Sequence, residues 1–128
     1  MTARVNSPKQ FLIIDSNARS RLLVVATLAR NFPHAVITEA SAIEEALSAL
    51  TLAEVDAVVG FFKDVFEARV FVHLVRDEHP RVPIVIMSET DCGKAVLADG
   101  ATRFLSCEEW LLVGTTLAEV LNESLTAA

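Results

Sequence analysis

The chain has 128 residues, 52% of them hydrophobic and 22% charged, with 4 glycines and 4 prolines, the composition of one ordered domain with a real core and no room for a second. Its 11 Lys and Arg against 17 Asp and Glu leave a formal charge of −6, which argues against nucleic acid or an anionic membrane as a partner. The start, MTARVNSPKQ, lacks the apolar core of a secretory signal, and no window approaches the roughly 18 uninterrupted apolar residues of a membrane span. The expectation is a single cytoplasmic domain over residues 1–128, with flexible tails at 1–8 and about 125–128.

Along the chain, short apolar runs alternate with helical patterns. FLII at 11–14 predicts a first strand, and residues 19–30 a helix carrying Leu22, Val25, Ala26 and Leu28 on one side. HAVITEA at 34–40 predicts a second strand. The next helix repeats Ile43, Ala46, Leu47 and Leu50 at i, i+3, i+4 and i+7, with Ser41 and Glu44 as a capping box. DAVVGFF at 56–62 predicts a third strand, followed by a helix over 65–78 that Pro80 terminates. Asp64 with Glu67 three residues on has the spacing of that helix's N-cap, a role favoured over a chemical one for this lone acid.

PIVIM at 83–87, a short helix at 93–99 stopped by Gly100, and TRFL at 102–105 continue the alternation. A last helix from about Cys107 opens with a Ser106/Glu109 capping box and places Trp110, Val113, Leu117, Val120 and Leu121 on one stripe. Strict alternation with near-continuous apolar strands predicts an α/β fold: a five-stranded parallel sheet with helices on both faces. In such sheets the working site lies at the carboxyl ends of the strands, where the strand order reverses.

Those ends read IIDSNARSR after strand one, VVGFFKD after strand three, IVIMSET after strand four and GATRFLSCEEW through strand five. The set resembles the receiver domain of two-component response regulators, with its flavodoxin-like five-unit fold, over essentially the whole chain. That resemblance implies an acidic pair for Mg²⁺ after strand one, a phosphoacceptor aspartate after strand three, and a lysine after strand five. It also implies a hydroxyl after strand four and an aromatic in strand five that respond to phosphorylation.

Position by position, Asp15 matches one acid and Ser16 replaces the other, while the acceptor falls on Phe61 or, with a one-residue slip, Gly60. Ser88 matches the hydroxyl, Phe104 the aromatic, and Cys107 stands where the lysine belongs. A hard dication wants several oxygen ligands, and a transferring phosphoryl wants a carboxylate nucleophile among cations. Acceptor, second acid and cation are all replaced, so a degenerate, phosphorylation-independent receiver is expected, not an enzyme, with no cofactor and only a residual claim of Asp15 on Mg²⁺.

Partner binding is expected instead, to a protein, an output domain or a second copy, through the family's face of helix four, strand five and helix five. Lys94, Arg103, Leu111 and Leu112 are the candidate contacts there, although a slightly rotated last helix would bury the two leucines. The stretch from Ser88 to Gly100 is about three residues shorter than the resemblance leads one to expect, so helix four should begin late or lose a turn.

A rival reading is a small-ligand or thiol redox module with Cys107, Ser88 and Asp15 around a remodelled pocket. The first turn of a helix lowers a thiol's pKa, whereas Glu108 and Glu109 oppose that, and no histidine falls at a strand end to serve as base. Cys92 and Cys107 lie in no metal-ligand spacing with His34, His73 or His79, and DSNARSR lacks the glycine-bearing loop of a flavodoxin-like phosphate site.

Overall fold

A computed structural model describes residues 8–126 of the chain, with side chains through 122. The elements run β1 (Gln10–Ile14), α1 (Ala18–Asn31), β2 (Val36–Ala40), α2 (Ile43–Leu52), β3 (Ala57–Phe61) and α3 (Val65–Glu78). They continue with β4 (Ile84–Ser88), α4 (Gly93–Asp99), β5 (Arg103–Ser106), a 3₁₀ segment (Cys107–Leu112) and α5 (Val113–Thr126). The predicted alternation is the observed one. Of the expected tails, residues 1–7 and 127–128 lie outside the described residues, and α5 continues through Thr126.

All strand pairs are parallel, in the order β2-β1-β3-β4-β5, so the order reverses between β1 and β3. Period-two alternation sends Leu12, Ile14, Val58, Phe62, Ile84 and Ile86 to one face, where they pack with α2, α3 and α4. Phe11, Ile13, Val59, Val85, Met87 and Leu105 go to the other, under Val24 and Leu28 of α1 and Val113, Leu117 and Val120 of α5. Both faces are covered, which is why the central strands read as unbroken apolar runs.

The helix ends show local corrections to the sequence reading. Ser41 is not the cap of α2: Ala42 is, and the backbone and hydroxyl of Ser41 bind Glu45 instead of Glu44. The helix begins one residue later than the spacing suggests, which moves the reciprocal acid by one position. Asp64 does cap α3, its carboxylate accepting from the Phe66 backbone N–H at 2.8 Å.

The Ser106/Glu109 capping box is also present, but it opens the 3₁₀ segment, not α5. Glu109 leaves helical geometry (φ −96°, ψ 18°) and α5 starts only at Val113, so Cys107 does not head the last α-helix. Trp110, Val113, Leu117, Val120 and Leu121 keep their inward stripe, and Leu111 (62% exposed) and Leu112 (49%) project outward.

Helix α4 has seven residues, half the length of α3. It ends at Gly100, whose φ of 118° is open to glycine and which rests on the Arg76 side chain. The Arg76 guanidinium donates to the carbonyls of Gly100, His79 and Val82, tying α3 to the turns that flank β4 and β5. Among the described residues, no helix is long and apolar enough to cross a membrane.

Candidate functional site at the strand ends

Asp15 follows β1 and is 1% exposed. Its carboxylate accepts the Asn17 backbone N–H at 2.9 Å and the Ser20 hydroxyl, while its own carbonyl accepts the Arg21 guanidinium at 2.6 Å. The same arginine reaches Glu39 at the end of β2 region at 2.9 Å. Asn17 then caps α1 by accepting from the N–H groups of Arg19 and Ser20. Asp15 is therefore consumed in building the β1–α1 turn, with Ser16 exposed beside it.

This geometry does not suit a cation. Mg²⁺ takes oxygen ligands in a near-octahedral shell, but the one matching acid is buried and already hydrogen-bonded, and its neighbour is a serine. Among the described residues, no group of three or more His, Cys, Asp or Glu is placed to hold a metal. The residues present do not fit the ion that the receiver resemblance implies.

The end of β3 carries the largest departure. Gly60 is paired with Ile14 and Ile86, and Phe61 with Met87. The Phe61 ring packs, partly buried, on the α1/α5 side, whereas Phe62 is buried on the α2/α3 side, 5.3 Å from the Phe71 ring. The backbone N–H of Phe62 continues the ladder by donating to the Met87 carbonyl at 3.0 Å. Two rings splayed to opposite faces thus occupy the strand end where the resemblance implies a carboxylate.

Phe62 also explains Gly60. A Cβ at Gly60 would stand 2.8 Å from Phe62 Cε2 and 3.2 Å from Ile14 Cγ2, closer than packed carbons approach. The glycine is required by the ring folded back over it, not by a turn.

Beside these rings lies a cavity of ≈ 450 Å³, bounded by Asp15, Ser16, Ile43, Phe61, Phe62 and Asp64 among others. Ser88, Phe104 and Cys107 are absent from its lining. The Ser88 hydroxyl, 1% exposed, accepts the Thr90 backbone N–H at 3.1 Å, a local turn bond. Phe104 packs on Gly93 at the start of α4, within the α2/α3/α4 core. Cys107 is a free, half-buried thiol one residue beyond β5. Around this cavity the strand-end residues therefore divide into a β1/β3 group that lines it and a β4/β5 group, Ser88 and Cys107 included, that does not.

The other thiol, Cys92, is buried just before α4, and that burial pushes its pKa up. On the outer side, Lys94 and Leu97 (45% exposed) of α4 lie exposed, as do Leu111 and Leu112. Arg103 is half-buried on β5, its guanidinium donating to the Thr102 carbonyl at 2.9 Å. Leu97 escaped the sequence reading. Its spacing of three from Lys94 on so short a helix was the available signal.

The fold matches solved receiver domains closely. The chemotaxis response regulator CheY4 of Vibrio cholerae superposes with a TM-score of 0.72 at 23% identity, covering 89% of this chain and 99% of that one. A CheY-like response regulator receiver domain protein from Methanospirillum hungatei gives 0.80 at 15% identity, covering 95% and 100%. HP1043, an orphan response regulator of H. pylori, gives 0.74 at 14% identity, covering 88% and 96%. At these identities the likeness is one of fold: the chain has the receiver, CheY-like architecture. No protein-family model matches the sequence, nor does any curated protein.

Proposed function

We propose that this domain is a phosphorylation-independent, receiver-like regulatory module of the cytoplasm that works by docking a protein, in two-component-type signalling or transcriptional control. The observation that carries the reading is the end of β3, where Phe61 and the Gly60/Phe62 pair hold the acceptor position within the five-stranded parallel sheet. Ser16 in place of an acid and Cys107 in place of a cation support it, because the missing groups are the ones a phosphoryl transfer needs. The domain is a binding module and not an enzyme.

The docking surface proposed is the side of α4, β5 and the 3₁₀ segment, where Lys94, Leu97, Leu111 and Leu112 are exposed around the edge strand. An output domain or a partner protein with an apolar contact of matching size fits it.

Beryllofluoride with Mg²⁺ forms an acyl-phosphate mimic only on an aspartate held in a working site. The proposal expects amide resonances of β4, α4 and β5 to stay in place when it is added. A saturable shift of those resonances would overturn it.

A further inference from the structure

Helix α3 buries Ala68, Phe71, Val72 and Val75 against the sheet and would ordinarily be polar on its outer side. Instead Phe66 (73% exposed), half-buried Val70 and Leu74 (39% exposed) form a second apolar row at i, i+4 and i+8. A shallow groove of ≈ 310 Å³ runs along the row, walled by Arg69 and His73. Both wall residues reach Asp99 at the end of α4, Arg69 Nε at 2.7 Å and His73 Nε2 at 3.1 Å. The wall is therefore held in place before anything binds, which lowers the ordering cost of association.

The two ends of the row differ in charge. Lys63 stands just before α3, Asp77 and Glu78 lie in its last turn, and all three are exposed. Among the described residues, the ion pairs Arg21–Glu39, Arg69–Asp99 and His73–Asp99 leave these three unengaged.

We propose that this face joins two copies of the chain, with α3 antiparallel to the α3 of a second copy about a two-fold axis at Val70. Phe66 and Leu74 lie four residues to either side of Val70, about 6 Å along the helix at its usual rise. The two-fold therefore sets Phe66 of each copy on Leu74 of the other and brings Lys63 of each copy to the Asp77/Glu78 end of the other. A parallel pair would oppose lysine to lysine and acid to acid. The contact is a single helix wide, which places it in the class of small, concentration-dependent interfaces. It uses a different face from the one proposed for the protein partner and stands or falls apart from it.

Analytical ultracentrifugation of the full chain over a concentration series tests the proposal. The wild-type chain should show a reversible monomer–dimer equilibrium that weakens with salt. Val70→Asp, which would bury two like charges across the axis, should weaken it at least about tenfold. Lys63→Glu alone and Asp77→Lys/Glu78→Lys alone should each weaken self-association, and an equimolar mixture of the two should restore a heterodimer. These charge changes sit on exposed positions and leave the fold intact, which circular dichroism checks. A chain that stays monomeric throughout would overturn the proposal. So would a dimer that survives Val70→Asp and is lost with Leu111→Asp/Leu112→Asp.

Discussion

Gly60 and Phe62 form one feature: the ring of Phe62 lies where a side chain on Gly60 would have to be, with Cε2 2.8 Å from the Cβ position. The ring cannot simply swing away, because it is buried against Phe71. Gly60→Ala should therefore destabilise the domain by about 1–3 kcal/mol, the range for overfilling a packed core. In a Phe62→Leu background the same change should cost much less, since the colliding edge of the ring is gone. Urea-unfolding midpoints of the four chains check this. Equal costs in both backgrounds would mean that the glycine is there for another reason.

Asp64 is the acid nearest in sequence to the β3 end where the receiver resemblance implies an acceptor, and its bond to the Phe66 N–H assigns it to the start of α3. Asp64→Ala should cost about 1 kcal/mol of stability, whereas Asp64→Asn should cost only a few tenths, since asparagine caps as well as aspartate. Thermal unfolding of the two variants reads the difference. An acceptor carboxylate would be abolished equally by both changes, and Asn would then behave like Ala in any phosphorylation readout.

The Arg69 hydrogen bond to Asp99 holds that carboxyl below its ordinary value of 3.8, with further help from the charge of Arg69 and from His73. A carboxylate with a depressed folded-state pKa contributes stability that is fully present above its unfolded value. That contribution is lost as pH falls through the folded value. The stability gap between wild type and Asp99→Asn should thus be present at neutral pH and shrink below about pH 4. Urea titrations at neutral pH and near pH 3 measure the gap directly. A gap that persisted unchanged in acid would show that the carboxylate's charge is not what ties α4 to α3.

Much of this fold is legible in the sequence because each element has its own signal. The apolar runs of β1, β3 and β4 are buried on both faces, and α3 and α4 begin and end where Asp64, Pro80 and Gly100 indicate. Harder to read was what depends on distance in space. The capping partner of Ser41 slipped from Glu44 to Glu45 because the helix starts at Ile43, a one-residue matter that side-chain spacing alone does not resolve. The change from 3₁₀ to α geometry after Leu112 moved Cys107 away from the head of α5 and put Leu111 and Leu112 outside.

The strand-end residues were legible one by one, but not their division. Alternation sends Phe61 and Phe62 to opposite faces, and only the packed sheet places the cavity on the β1/β3 side, apart from Ser88 and Cys107. The outer row of α3 gave a sequence signal, Phe66, Val70 and Leu74 at helical spacing. It was hidden by the stronger inward stripe of the same helix.

The central claim is that the strand-end site has been converted, so that no residue here accepts a phosphoryl group. Its most direct test is the intact mass of the wild-type chain after incubation with Mg²⁺ and a small phosphodonor such as acetyl phosphate. An unchanged mass is predicted. A stoichiometric phosphoryl adduct, stable in acid and labile in base as an aspartyl phosphate is, would contradict it.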